Sequence, residues 1–227
     1  MTTVHISGIK RYISHGTTYY YLRASGEAIT DAEGKRLDPI KQPEEFFARV
    51  EAKLRDDRRD ATRPNETWAM DFVHDQLATG RKIRVLTVVD TFSRYVPVID
   101  PRFSYRGEDV VQVLDKVCTR IGYPTTIRVD QGTEFVSRDL DLWAYTRGVV
   151  LDFSRPGKPT DNAFIEAFNG RFRVECLNQH WFMSLEDARQ KMEAWRRYYN
   201  EERPHGAIGQ KAPITLLGHD GVPSPPS

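Results

Sequence analysis

The chain has 227 residues, of which 39% are hydrophobic and 29% are charged, and its formal net charge is +1. These values are typical of a globular protein with one full domain and a small appendage. No stretch approaches 18 consecutive apolar residues, and the first residues lack the pattern of a signal peptide, which argues against a membrane or exported protein. Cys118 and Cys176 lie far apart and outside any C-x-x-C pair, so neither structural zinc nor a disulfide framework is expected. We therefore expect a cytoplasmic protein.

Residues 1–62 are predicted to form a small α+β region that ends in a linker. Within residues 4–25, β-branched and aromatic runs flank a turn at His15-Gly16, which predicts a β-hairpin. An amphipathic helix is expected to open at Pro43, with Phe46, Phe47, Val50 and Leu54 as its apolar positions. The mixed-charge stretch 55–60 then indicates a domain boundary near residue 62.

Residues 63–217 show a different pattern, which predicts an α/β domain with the element order β-β-β-α-β-α-β-α-α. Strands are predicted at 68–73, 83–90, 95–99, 126–130 and 149–153, and the proline in the third places it at an edge or a strand start. Helices are predicted from Gly107 to Ile121, at 139–147, from a start at 160–162, and from a capping box at Ser184 to Pro204. The proline-rich tail 218–227 is predicted to be disordered.

Three acids stand beside hydrophobic residues on three separate elements. Asp71 lies within the first strand of this domain, Asp130 at the end of the fourth, and Glu166 on the third helix, with 35 residues between the last two. Hard divalent cations prefer oxygen ligands, and two such ions held together can promote phosphodiester cleavage. The alternative is that each acid is a cap or a surface residue, and for Asp130 the following Gln131-Gly132 also favours a simple turn.

The helix that carries Glu166 has two patterned faces. Asn162, Glu166 and Arg173 share one face, and three phenylalanines repeat every four residues on a neighbouring face that is predicted to be buried. Arg173 could bind a phosphate, or it could be an exposed arginine with no partner.

Five motifs, in this order, resemble the catalytic core of IS3-family insertion-sequence transposases. They are Trp68-x-x-Asp71, Val89-Asp90-x-x-Ser93-Arg94, Asp130-x-Gly132-x-Glu134-Phe135, Pro156-Gly157-x-Pro159-x-Asp161-Asn162-x-x-x-Glu166-x-Phe168-Asn169, and Tyr199-Asn200-x-x-Arg203-Pro204-His205. These enzymes are similar to retroviral integrases, so the resemblance implies an RNase H-like fold, a mixed five-stranded sheet flanked by helices.

The resemblance also implies a site and an activity. It assigns Asp71, Asp130 and Glu166 as ligands of two Mg²⁺ or Mn²⁺ ions and Lys158, Asn162 and Arg173 as DNA contacts. The implied reaction is metal-dependent cleavage at the 3′ end of a mobile element, followed by direct strand transfer of the freed 3′-OH into target DNA. The implied partners are element ends and target DNA, on which the protein assembles as a homo-oligomer, and no membrane. Arg203 and His205 are expected to serve packing.

The N-terminal region does not follow the same family. Residues 1–60 weakly resemble the N-terminal region of phage-type tyrosine integrases, and the upstream helix-turn-helix segment of the transposases is not recognised, so a fused or rearranged gene is expected. Two alternatives to an active transposase stay open: a non-catalytic DNA-binding remnant, and an RNase H-type nuclease acting on RNA–DNA hybrids.

Overall fold

A computed structural model describes the backbone of residues 9–14 and 17–22, and residues 28–31, 33–37, 46, 61–154 and 163–217. The chain divides into two units, Met1–Asp60 and Ala61–Ser227. In the first, strands β1 (Ile9–Ser14) and β2 (Thr17–Leu22) pair antiparallel, which confirms the predicted hairpin. The helix predicted from Pro43 lies outside the described residues except for Phe46, which is helical and buried.

The second unit is built on a five-stranded mixed sheet with the order β5-β4-β3-β6-β7. The predicted order of helices and strands is confirmed. Its strands are β3 (Thr67–Gln76), β4 (Lys82–Asp90), β5 (Val98–Arg102), β6 (Thr126–Val129) and β7 (Val150–Phe153). Its α-helices are α1 (Gly107–Ile121), α2 (Arg138–Arg147), α3 (Ala163–Glu175) and α4 (Leu185–Glu201). The pairs β3–β4 and β4–β5 are antiparallel, whereas β3–β6 and β6–β7 are parallel.

Helices cover both faces of this sheet, as expected for strands that read as continuous apolar runs. On one face, Trp68, Met70 and Ile127 belong to a core shared with α1 and α2. On the other, Ala69 and Val73 pack in a core shared with α3 and α4. Because side chains alternate along a strand, Asp71 lies on the α3–α4 face and Phe72 on the opposite one.

The third strand of the domain begins later than predicted, at Val98 rather than at Tyr95. The backbone of Val96 is bonded by α4 instead of by the sheet: its N–H donates to Asn200 Oδ1 at 2.8 Å, and its carbonyl accepts from Asn200 Nδ2 and from Arg196 at 3.0 Å. Pro97 then lacks an N–H for the ladder. The prediction that this strand lies at an edge is confirmed.

The helix ends follow the signals in the sequence. Gly148 closes α2 in the left-handed conformation (φ 68°), and Ser184 caps α4 by accepting the N–H of Asp187 at 3.0 Å. The caps predicted for α3 at 160–162 lie outside the described residues. Among the described helices, none is long and apolar enough to cross a lipid bilayer.

Candidate active site

Asp71 lies near the middle of β3 and is held by hydrogen bonds at both carboxylate oxygens. Oδ1 accepts the N–H of Phe72 at 2.7 Å, and Oδ2 accepts Asn169 Nδ2 at 2.9 Å. Thr87, fully buried on the neighbouring strand, donates to Asn169 Oδ1 at 2.9 Å and lies 3.1 Å from the Asp71 carbonyl. The carboxylate orientation is therefore fixed by both β4 and α3.

Asp130 reaches the same place through strand register. In the parallel pair, Thr67 faces Thr126 and Ala69 faces Arg128. Continuing both strands by two residues brings Asp130 level with Asp71 on the neighbouring strand. One carboxylate oxygen of Asp130 accepts the N–H of Gly132 at 2.8 Å, so the predicted turn is present as well.

The loop after Asp130 is anchored on the opposite face of the sheet. Phe135 is buried and stacks on Phe72, with ring centroids 5.0 Å apart and an interplanar angle of 10°. Glu134 forms an ion pair with Arg84, whose guanidinium lies 4.2 Å above the Phe72 ring. The hydrogen bond from Arg84 lowers the pKa of Glu134, so Glu134 stays ionised at neutral pH. These contacts fix the loop that begins with Asp130.

Glu166 is presented by α3, which packs along β3. Ile165 and Phe172 are fully buried in the core below the helix, whereas Glu166 is exposed. One turn later Asn169 bonds Asp71, and Arg173 donates to the His74 carbonyl at 3.3 Å. Because residues three and seven positions after Glu166 both contact β3, the helix face that carries Glu166 is turned toward the strand that carries Asp71.

Asp130 and Glu166 both act electrostatically on Asp71. The pKa of Asp71 is raised from 3.8 to about 6, first by burial and also by repulsion from Asp130 and Glu166, while the hydrogen bonds from Phe72 and Asn169 oppose the rise. A cation among them would relieve this repulsion, so the donor set fits a hard divalent ion. Within the described residues, however, no group of three or more His, Cys, Asp or Glu side chains has the spacing that a metal ion needs.

The predicted DNA contacts have different outcomes. Arg173 is exposed on α3 and bonds the backbone of β3, so the alternative of an arginine without a partner is wrong. Lys158 and Asn162 lie outside the described residues. His205 is buried against Tyr199, and Arg203 pairs with Glu175 through two hydrogen bonds, which confirms their expected packing role.

Two residues that support the site were not predicted to do so. Asn169 lies one helical turn beyond Glu166, a spacing that places it over the same strand. Thr87 is a polar residue inside the apolar run Val85-Leu86-Thr87-Val88-Val89, and a buried polar side chain requires a hydrogen-bond partner. Both signals were present in the sequence.

Two family models described as "Integrase core domain" match this chain, one over residues 61–159 and one over residues 147–213. Relatives include an insertion element IS407 protein of Burkholderia multivorans, 51% identical over 66% of this chain and 54% of its own length, and an insertion element IS476 protein of Xanthomonas euvesicatoria, 47% identical over 69% and 45%. A putative transposase for insertion sequence IS150 of Escherichia coli is 30% identical over 72% of this chain and 58% of its own length. The chain thus spans about half the length of these relatives.

Solved structures with the same fold come from retroviral integrases. A chain of a simian T-cell lymphotropic virus intasome covers 74% of this chain with a TM-score of 0.62 and 19% identity, the match spanning 59% of that chain. The HTLV-2 integrase catalytic core, solved in complex with magnesium, covers 70% with a TM-score of 0.53 and 16% identity, the match spanning 99% of that core. These similarities confirm the predicted RNase H-like fold.

Proposed function

The chain belongs to the integrase core family carried by insertion-sequence transposases, and from this premise we propose that it moves a mobile DNA element by metal-dependent 3′-end cleavage and strand transfer. The observation that carries the proposal is the state of Asp71. Its carboxylate is held in place by Asn169, and its pKa is raised by burial and by Asp130 and Glu166. Groups arranged so that like charges meet are typical of functional sites.

Asp71, Asp130 and Glu166 would hold the metal, which we propose to be two Mg²⁺ or Mn²⁺ ions. When bound, such ions lower the pKa of water and neutralise charge on a phosphodiester. The HTLV-2 integrase core with this fold was solved with magnesium, which supports the choice of ion. Asp71 is fixed by β4 and α3, and Asp130 by the anchored loop, so the protein itself supplies a rigid frame.

DNA is the proposed substrate, both as element ends and as target. Arg173 lies on the same helix face as Glu166 and remains exposed, so its guanidinium can reach a phosphate next to the acids. Lys158 and Asn162 are proposed as further contacts because they precede Glu166 in sequence and match the family motif that ends at this acid. A homo-oligomer on DNA is proposed because the simian virus chain of the same fold comes from an intasome.

The test uses purified protein and labelled duplexes that end in the terminal sequence of the encoding element, with Mg²⁺ or Mn²⁺. Asp71→Ala is expected to reduce 3′ cleavage by at least about 1,000-fold, because several kcal/mol of metal-assisted stabilisation are lost. Asp141→Asn, an exposed aspartate on α2, is the matched control and should retain activity.

Three outcomes would count against the proposal. Cleavage that survives Asp71→Ala would remove the acids from the mechanism. Binding of element ends without any cleavage or transfer by the unaltered protein would favour a DNA-binding remnant. Faster cleavage of RNA–DNA hybrids than of duplex DNA would indicate an RNase H-type nuclease.

A further inference from the structure

Trp181 and Met183 lie exposed on the short loop that leads into α4. Phe182, between them, is buried in the core shared with α3 and α4, whereas 77% of Trp181 and 66% of Met183 remain exposed. Both large apolar side chains therefore lie on the side of the loop that faces away from the core. The other three tryptophans of the chain are buried. The exposed pair thus needs an explanation other than packing of the fold.

Hydrogen bonds hold this loop in place from two directions. The Phe182 carbonyl accepts the N–H of Ala78, which follows β3, at 2.8 Å. The Trp181 carbonyl accepts Lys191 Nζ from α4 at 2.9 Å. The N–H of the residue after Phe182 donates to the Asp187 carboxylate, also on α4, at 2.9 Å. A surface that is fixed before its partner arrives loses little conformational entropy on binding, which favours association.

The chemistry of the exposed pair is that of the centre of a protein interface. Tryptophan and methionine are enriched at the buried centre of interfaces, and tryptophan is among the residues whose truncation costs most binding energy there. Burial against a partner would remove about 150–250 Å² of aromatic surface from water for Trp181. The pair is therefore suited to contact another protein surface.

The charges beside the pair cancel. Residues 176–192 carry two acids and two Lys or Arg residues. These four form two ion pairs on the first turns of α4: Lys191 lies 2.8 Å from Asp187, and Arg189 lies 3.5 Å from Glu186. DNA is held mainly by cations that contact its phosphates, so a surface without net positive charge is poorly suited to DNA.

This balance of charge suits a second copy of the same chain. In a two-fold symmetric contact each surface faces an identical one, so a net charge would repel itself. Glu186 and Arg189 lie three residues apart and are both exposed on α4. In an antiparallel contact between two copies of this helix, each of them can approach its opposite in the other copy.

We propose that Trp181 and Met183 form the centre of a two-fold interface between two copies of this chain, with Glu186 and Arg189 at its rim. The inference rests on the proposed function for the choice of a second copy as the partner, because moving an element engages both of its ends. The pair supplies less than the about 800 Å² per partner that a stable interface buries. Without DNA we therefore expect a reversible dimer with a Kd on the order of 10 µM.

The test measures association of the full chain in EDTA without DNA. Sedimentation velocity from about 1 to about 100 µM should show monomer and dimer in exchange. Over the same range the emission of Trp181 should shift to shorter wavelength and become less accessible to acrylamide, against a constant background from the three buried tryptophans. Because neither DNA nor metal is present, a protein that stays monomeric here and still cleaves element ends would reject the interface and leave the proposed reaction standing.

Two variants address the apolar centre, and a third is their matched control. Trp181→Ala is expected to weaken dimer formation at least about 30-fold, as for a central interface aromatic. Met183→Asn keeps the approximate size of the side chain and should weaken it at least about fivefold, which keeps the test open if Trp181→Ala melts early. Tyr145→Ala removes an aromatic side chain that is 86% exposed on α2 and should change association by less than about threefold.

Two charge reversals test whether the partner is a second copy. Arg189→Glu lowers the charge of the surface by two units and Glu186→Arg raises it by two units, so each variant should associate with itself at least about tenfold more weakly. An equimolar mixture of the two variants brings opposite charges together and should dimerise at least as tightly as wild type.

Three results would overturn the proposal. A wild-type protein that stays monomeric to about 100 µM would mean that something other than a second copy covers the pair. A dimer that leaves Trp181 emission unchanged, or that Trp181→Ala and Tyr145→Ala weaken equally, would place the interface elsewhere. A mixture of the two charge reversals that associates no better than either alone would remove α4 from the contact.

Discussion

Replacing Asp71 by asparagine is expected to stabilise the fold at neutral pH while it abolishes cleavage. The wild-type carboxylate is partly buried and is repelled by Asp130 and Glu166, so its ionisation costs folding free energy. An asparagine has nearly the same shape and no charge. The asparagine loses about one of the two hydrogen bonds that Phe72 and Asn169 now donate. This loss reduces the expected gain in unfolding free energy by about 1 kcal/mol.

The magnitude follows from the pKa of Asp71, which rises from 3.8 to about 6 in the folded protein. The native state therefore binds this proton more tightly than the unfolded state does, and stability falls as the pH rises through this interval. Each pH unit between the two pKa values corresponds to about 1.4 kcal/mol, so the loss is about 3 kcal/mol above pH 6. At neutral pH the asparagine variant should gain about 2 kcal/mol relative to wild type.

The assay is urea unfolding of both proteins in EDTA from about pH 4 to about pH 8. The difference in unfolding free energy between the variant and wild type should grow between the two pKa values and then stay constant. Asp141→Asn is the control and should show no such trend. A difference that is the same at both ends of the pH range would refute the reasoning, because Asp71 would then ionise equally in both states.

Three further predictions concern the residues around the acids and one helix end. Asn169→Ala should lower cleavage and raise the Mg²⁺ concentration needed for half-maximal rate, since Asp71 loses the donor that orients it; an unchanged Mg²⁺ titration would contradict this role. Glu134→Gln should leave Arg84 without its ion-pair partner and lower the unfolding free energy by about 1–3 kcal/mol in urea unfolding. The double variant Arg84→Met, Glu134→Gln should recover part of that loss. Gly148→Ala should lower unfolding free energy by about 1 kcal/mol because φ is 68° there, with cleavage unchanged; no loss of stability would mean that the turn relaxes.

Local sequence patterns predicted most of the elements of this domain. The continuous apolar run of β4 and the Gly148 stop after α2 depend on neighbouring residues, so their positions follow from the chain itself. The start of β5 does not follow from neighbouring residues, because the backbone N–H of Val96 donates a hydrogen bond to Asn200, 104 residues away. A partner at that separation leaves no trace in local periodicity.

The residues of the site also divide into those that local sequence predicts and those that depend on distant contacts. The three acids could be singled out because each interrupts or ends an apolar element, and the parallel register of β3 and β6 accounts for two of them meeting. The support of Asp71 by Asn169 and Thr87 required knowing that α3 packs over β3. Lys158 and Asn162 remain predictions.

The contacts at Val96 also have a consequence for how copies of this protein can associate. A sheet edge offers unpaired backbone groups to which another extended chain can add. Beside β5, Asn200 and Arg196 occupy both backbone groups of Val96, Pro101 offers no N–H, and Asp100 and Arg102 add charge. Strand addition is therefore disfavoured at this border of the sheet, and the homo-oligomer proposed above is expected to form through helices or loops instead of a continuous intermolecular sheet through β5.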